Sequence, residues 1–327
     1  MLFRTEINLP PSSYPITHAD HLLLVGSCFT QNIGQLLKDS KFSVGVNPTG
    51  VLYNPLSILQ TLQLLIDKAF LTENDLYHNG HHYLSFAHHG SFSNPNAQDC
   101  LKKINQHLLE GSNLLSSAQY IVLTFGTSFA YRRKDTQQVV ANCHKLPDSF
   151  FTRQPLTVAE IVSALEPAFR FLFEQNDRLR LILTVSPIRH WKDGAVNNQL
   201  SKATLILAIH ELKNMFQDRI DYFPAYELMM DDLRDYRYYA DDLLHPTPMA
   251  IQYIWQKFKS VYFTRQTNDL IKAIEKIRQA YQHKAIQPQS ETYQSFAKQQ
   301  IAAILELVKQ YPNLRFEEEL AYFERAG

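Results

Sequence analysis

His21-Leu22-Leu23-Leu24-Val25-Gly26-Ser27-Cys28-Phe29 is the stretch whose reading decides the fold. Leu22, Leu23, Leu24 and Val25 form a continuous apolar run, the pattern of a strand covered on both faces. Beyond the glycine, residues 29–38 carry Ile33, Leu36 and Leu37 at helical spacing. A strand that passes through Gly-Ser into a helix puts Ser27 at a strand's carboxyl end and at a helix N-terminus. Backbone N–H groups there lack intrahelical partners and can stabilise developing negative charge. Helix capping is the plain alternative, since serine is a favoured N-cap.

Outward from this junction the chain alternates. Residues 55–67 read as a helix with Pro55 in its first turn, and 97–115 has helical spacing. Tyr120-Ile121-Val122-Leu123-Thr124 is a second buried strand, followed by Gly126. Thr157 with Glu160 is a capping box opening a helix over 157–175. A third strand at 179–185, a helix at about 200–217 and a short strand at 220–224 follow. Strands separated by helices predict an α/β fold with a mostly parallel sheet covered on both faces. Ser27, the Gly126 block and residues 186–190 each follow a strand directly. They should share the carboxyl edge, where ligands bind in such sheets.

The spacing assigns residues 1–262 to this main domain. Beyond it, Leu270, Ile271, Ile274 and Ile277 mark one amphipathic helix, and Phe296, Ile301, Ile304, Leu305 and Val308 a second. A polar break at 284–290 joins them. Residues 263–327 are therefore expected to form a helical hairpin packed on the main domain, with a lid or a dimerisation arm as the functional alternative.

Asp242-Leu243-Leu244-His245-Pro246 is the other informative segment. An acid three residues before a histidine can present both side chains on one side of a turn. The carboxylate then holds the imidazole Nδ1–H and leaves Nε2 free as a base. With Ser27, these residues make a triad in the order Ser…Asp…His.

The chain resembles the GSCFA family of the SGNH/GDSL-like hydrolase superfamily. The resemblance is carried by Gly26-Ser27-Cys28-Phe29, Asn47-Pro48-Thr49-Gly50-Val51-Leu52-Tyr53-Asn54-Pro55 and Thr124-Phe125-Gly126-Thr127-Ser128 running on to Tyr131. It continues through Asn142-Cys143-His144-Lys145, Val185-Ser186-Pro187-Ile188-Arg189-His190 with Asp193-Gly194, and Asp242-Leu243-Leu244-His245-Pro246. It implies a three-layer α/β/α, flavodoxin-like fold and an ester-cleaving serine. It also puts Gly50 at the superfamily's second block, where a glycine N–H helps hold the oxyanion. Two motifs depart from the superfamily: Gly-Asp-Ser has become Gly26-Ser27-Cys28, and the Gly-x-Asn-Asp block appears as Gly126-Thr127-Ser128-Phe129, without its oxyanion Asn.

That leaves Gly126, Thr127 and Asn142 as further candidates to line the oxyanion hole. His144 with Lys145, and Arg189 with His190, are candidates to hold a substrate oxygen or carboxylate. Cys28 is the rival nucleophile, because a thiolate is intrinsically stronger. His190 is the rival base, and Asp241 the weaker rival acid. His81-His82 and His88-His89 lack accompanying acidic or cysteine ligands at metal spacing, and no metal is expected.

Composition narrows the partners. Net charge is zero and Lys+Arg equal Asp+Glu at 32 each, so no electrostatic case exists for nucleic acid or an anionic membrane. Three cysteines favour a reducing compartment, and with no apolar leader or 18-residue apolar stretch a cytoplasmic location is expected. The expected function is a serine esterase or deacylase, needing no cofactor, that cleaves a small O-acyl ester such as an acylated glycan. The alternatives are a non-catalytic binding module on the same fold and an acyltransferase using the same triad.

Overall fold

A computed structural model describes residues 5–283 and 290–325; residues 1–4, 326–327 and 284–289, most of the polar break, lie outside the described residues. In chain order the strands are β1 (His21–Gly26), β2 (Ser43–Val46), β3 (Tyr77–His78), β4 (Tyr83–Leu84), β5 (Tyr120–Phe125), β6 (Phe129–Arg133), β7 (Val139–Val140), β8 (Phe151–Pro155), β9 (Arg180–Val185) and β10 (Ile220–Phe223). The helices are α1 (Cys28–Asp39), α2 (Pro55–Ile66), α3 (Ala97–Ser117), α4 (Val158–Gln175), α5 (Gly194–Phe216), α6 (Ala225–Glu227), α7 (Pro248–Tyr262), α8 (Arg265–Gln282), α9 (Glu291–Gln310) and α10 (Glu317–Glu324).

Five strands form the main sheet in the order β10-β9-β5-β1-β2, with helices on both sides. The β1/β5, β5/β9 and β9/β10 pairs are parallel. The fold is thus the α/β/α arrangement that the alternation predicted. Leu22, Leu23, Leu24 and Val25 are all fully buried, as a central parallel strand requires. Ile58 and Leu62 of α2, Ile104 of α3, Leu165 of α4 and Leu205 of α5 join the core built on this sheet. Local signals start the helices where the sequence indicated. Asn54 Oδ1 accepts the Ser57 N–H at 2.9 Å with Pro55 at N1, and the Thr157/Glu160 capping box is fully formed.

Register places the site. Gly26 lies opposite Thr124, Thr124 opposite Thr184, and Phe125 opposite Val185. Ser27, Gly126 and Ser186 therefore leave three adjacent strands at nearly one level, on one edge of the sheet.

Two features were not legible as local patterns. A small antiparallel sheet in the order β7-β6-β8 follows β5. In addition, α5 begins at Gly194, earlier than its apolar spacing suggested, because Val196 (73%) and Leu200 (61%) are exposed while Lys202 (0%) is buried.

The chain divides into two compact units that interleave in sequence: residues 1–8, 21–34 and 44–255, and residues 9–20, 35–43 and 256–327. The second holds α8, α9 and the short α10. Ile274, Ile277, Ala297, Ile304, Phe316 and Phe323 form its core. Lys41 pairs with the nearly buried Glu319 at 2.6 Å, and Arg278 with Asp39. No described helix is long and apolar enough to cross a membrane.

Candidate active site

Ser27 sits between β1 and α1 and is 2% exposed. Its Oγ accepts the Phe29 N–H at 3.3 Å and its carbonyl accepts the Thr30 N–H at 2.9 Å, so it does cap α1. Its own N–H continues the β1/β5 ladder toward Thr124 O, as the parallel Gly26–Thr124 pairing requires. The junction is held in place by Asn47, whose Oδ1 accepts the Gly26 N–H at 2.8 Å and whose own N–H donates to Leu24 O at 2.8 Å. Gly26 cannot be replaced there, because a Cβ would lie 2.3 Å from Thr124 O. Cys28 turns elsewhere, its Sγ lying 3.6 Å from Tyr53 Oη.

Asp242 and His245 are paired within a single closed loop. The loop is pinched by Ala240 N–H to His245 O at 2.8 Å and Thr247 N–H to Tyr238 O at 2.9 Å, and Leu243 adopts a positive φ of 60° to make the turn. Asp242 Oδ1 accepts the Leu244 and His245 N–H groups at 2.9 Å each, while Oδ2 accepts His245 Nδ1–H at 2.5 Å. Those backbone donors, and then the imidazole, hold the Asp242 carboxyl down to about 2. His245 Nε2 is left without a partner among the described residues. Asp242, not Asp241, is the acid that faces the ring. No hydrogen bond joins His245 to Ser27 Oγ, which is engaged with Phe29. The charge of the His245 imidazole is felt, weakly, at His190, which follows β9.

His190 packs edge-on against Tyr53 with ring centroids 5.2 Å apart, and its Nε2 lies 3.0 Å from where a Cβ on Gly126 would sit. Burial, reinforced by the charge of Lys202, pushes its imidazole down to about 4. His190 is therefore a neutral wall of the site at ordinary pH, and no side-chain carboxylate hydrogen-bonds to it.

Several residues offered as oxyanion donors are engaged elsewhere. The Gly50 N–H donates to Asn47 O at 2.8 Å, closing its own turn. The Gly126 and Thr127 N–H groups both donate to Tyr53 O, at 2.7 and 3.0 Å, and Thr127 Oγ1 is buried against Ser201 Oγ at 3.1 Å. Asn142 Oδ1 caps the His144 N–H at 2.7 Å, so only its Nδ2 is uncommitted. His144 is turned into the Ser85 loop, with Nε2 bonded to Ser85 O at 3.0 Å and Nδ1 3.4 Å from Ser93 Oγ. The Gly126 and Thr127 amides are spent because backbone donors at strand ends must be satisfied, and a neighbouring loop satisfies them. Arg189 follows β9 on the site edge. Among the described residues no three His, Cys, Asp or Glu side chains group as a metal site.

Two residues missed in the sequence organise this edge. Tyr53 supplies the carbonyl that binds the Gly126 block. Lys202 is fully buried, and its Nζ donates to Gly126 O at 2.8 Å, Ser186 O at 2.8 Å and Ile188 O at 2.9 Å. One ammonium thus ties together the ends of β5 and β9, and burial pushes it down to about 7. Lys202→Met should strand three buried carbonyls and cost on the order of 3 kcal/mol, read as a lower denaturation midpoint. Unchanged stability would show that these contacts are dispensable.

A mostly parallel α/β/α sheet with a serine at the end of one strand, and an Asp–His pair in a later loop, defines an α/β protein with a polar strand-end edge. The chain belongs to the GSCFA family, whose model matches residues 21–258, and a GSCFA C-terminal domain matches residues 274–326. No curated protein matches it. Among solved structures it is similar to a putative platelet activating factor from Streptococcus pneumonia, at 12% identity and a TM-score of 0.36, over 73% of this chain and 82% of that one. It is also similar to an acetyl xylan esterase (Est2A) from the rumen bacterium Butyrivibrio proteoclasticus, at 12% identity and a TM-score of 0.37, over 77% of this chain and 64% of that one. Similarity at this level carries no argument about chemistry, which rests on the residues of the site.

Proposed function

We propose that the chain is a serine hydrolase that cleaves an O-acyl ester of a hydroxylated, carbohydrate-like alcohol. The observation that carries this reading is the Asp242–His245 pair, with Nδ1–H held at 2.5 Å and Nε2 left open. In the first step Ser27 Oγ bonds to the acyl carbon as its proton passes to His245 Nε2. The bond to the alcohol oxygen then breaks, and that oxygen takes the proton from the imidazolium. Water, deprotonated by the same imidazole, releases the acid and regenerates Ser27. Asn142 Nδ2, uncommitted among the described residues, is the side-chain donor offered to the developing oxyanion. The missing Ser27–His245 hydrogen bond is compatible with this chemistry, because catalytic hydrogen bonds often tighten only when substrate is bound. Three unpaired cysteines fit a reducing, cytoplasmic setting.

The engaged Gly50, Gly126 and Thr127 amides favour a second reading, a binding module that keeps the pocket but not the reaction. A fluorophosphonate probe separates the two, since it labels only an activated serine. Labelling at Ser27, together with acetate release from acetylated sugars or aryl acetates, is the expected result. No label and no hydrolysis would leave the binding module.

A further inference from the structure

Arg189 is a cation without an anion. It follows β9 on the site edge, and the backbone on either side of it is fixed: Ile188 O accepts from Lys202 Nζ at 2.9 Å, and the His190 N–H donates to Asn198 Oδ1 at 2.9 Å. The side chain is half-buried, and its Nε is fully buried with no hydrogen-bond partner. Among the described residues it makes no ion pair. The carboxylate of Asp193 pairs through Oδ1 with Arg153 at 2.5 Å, and its buried Oδ2 makes no hydrogen bond to Arg189. The Arg189 guanidinium stands 5.3 Å from the ring of Trp191, an exposed indole, and its charge is felt at the phenols of Tyr226 and Tyr239. Tyr239 belongs to the loop that carries Asp242 and His245, where it bridges to Pro246.

A half-buried guanidinium loses hydration that only an anion restores well, and its planar fork matches the two oxygens of a carboxylate. Beside it, Trp191 offers a flat apolar face to a sugar ring. The end of β9 is two strands from the end of β1, about 10 Å at the usual ~4.8 Å spacing. That separation is roughly the width of one sugar ring plus its substituents.

We infer that Arg189 receives a carboxylate of the substrate, so that the ester cleaved at Ser27 is carried by an acidic molecule such as an O-acylated sugar acid. This inference rests on the hydrolase reading for its reaction, but not for its anion site. The test compares O-acetylated methyl glucuronide with O-acetylated methyl glucoside. Wild type should favour the acid by about 10- to 100-fold in kcat/KM, the range for a hydrogen bond to a charged group, mostly through KM. Arg189→Gln should bring that ratio close to one, and Arg189→Lys should restore part of it. Equal rates on both esters in wild type, or an unchanged ratio in Arg189→Gln, would overturn the inference. Calorimetry with unesterified methyl glucuronide and methyl glucoside keeps the two readings apart. Selective binding of the acid that Arg189→Gln abolishes would support the anion site even if no ester were cleaved. Without such selectivity in a protein that cleaves no ester, the anion site falls too.

Discussion

Ser27→Ala should lower ester hydrolysis by a factor on the order of 10⁴ or more and abolish fluorophosphonate labelling, with no loss of folded structure. The size follows from the role: Ser27 is the hydroxyl placed where β1 turns into α1, and the proposed reaction forms its first bond there. The capping bond from Phe29 N–H to Ser27 Oγ, at 3.3 Å, is worth only about 1 kcal/mol, so the variant should fold. Cys28→Ala is the matched control. Its thiol is directed at Tyr53 Oη, 3.6 Å away, and should leave a substantial fraction of the activity in place. Full hydrolysis by Ser27→Ala would end the serine assignment, and loss of activity in Cys28→Ala alone would transfer it to the thiol.

His245→Ala should cost a comparably large factor, and Asp242→Asn a large but smaller one, measured as kcat with stability held in view. In Asp242→Asn the backbone turn can survive, because an amide oxygen still accepts from Leu244 and His245. What is lost is the negative charge that steadies the imidazolium. The pH profile gives an independent reading. A histidine base works only when neutral, so activity is present at higher pH and lost as pH falls through the imidazole's titration. His190 titrates near pH 4, because burial and Lys202 disfavour its charged form. An acid limb well above pH 4 therefore excludes His190 as the base, whereas a limb at about pH 4 would name it in place of His245.

The distribution of legible and illegible features follows the range of the interactions behind them. Strand runs, helix spacing, the Pro55 start and the Thr157/Glu160 box are set by neighbours within a few residues, and each stands in the structure close to where the sequence put it. The Asp242–His245 contact is of the same kind, since three residues of one turn contain it entirely. The donors of the strand-end loops are not. Whether the N–H of Gly126 or Thr127 is free depends on where the Tyr53 carbonyl arrives, and Tyr53 is more than seventy residues from the block it binds.

Lys202 shows the same limit from the opposite side. A lysine on a helix is expected to face water, and Val196, Leu200 and Leu207 to face the core. In α5 Lys202 is fully buried and all three apolar residues are exposed, at 73%, 61% and 60%. Three carbonyls from the ends of two other strands accept its ammonium and so offset the cost of its burial. The sequence alone determined an alternating α/β chain, a serine at its first strand–helix junction and a self-contained Asp–His turn. Only the tertiary structure decided which amides at the sheet edge are spent and why a lysine lies beneath them. Hydrogen-bond satisfaction there is settled between segments far apart in the chain, and local patterns of residues hold no record of it.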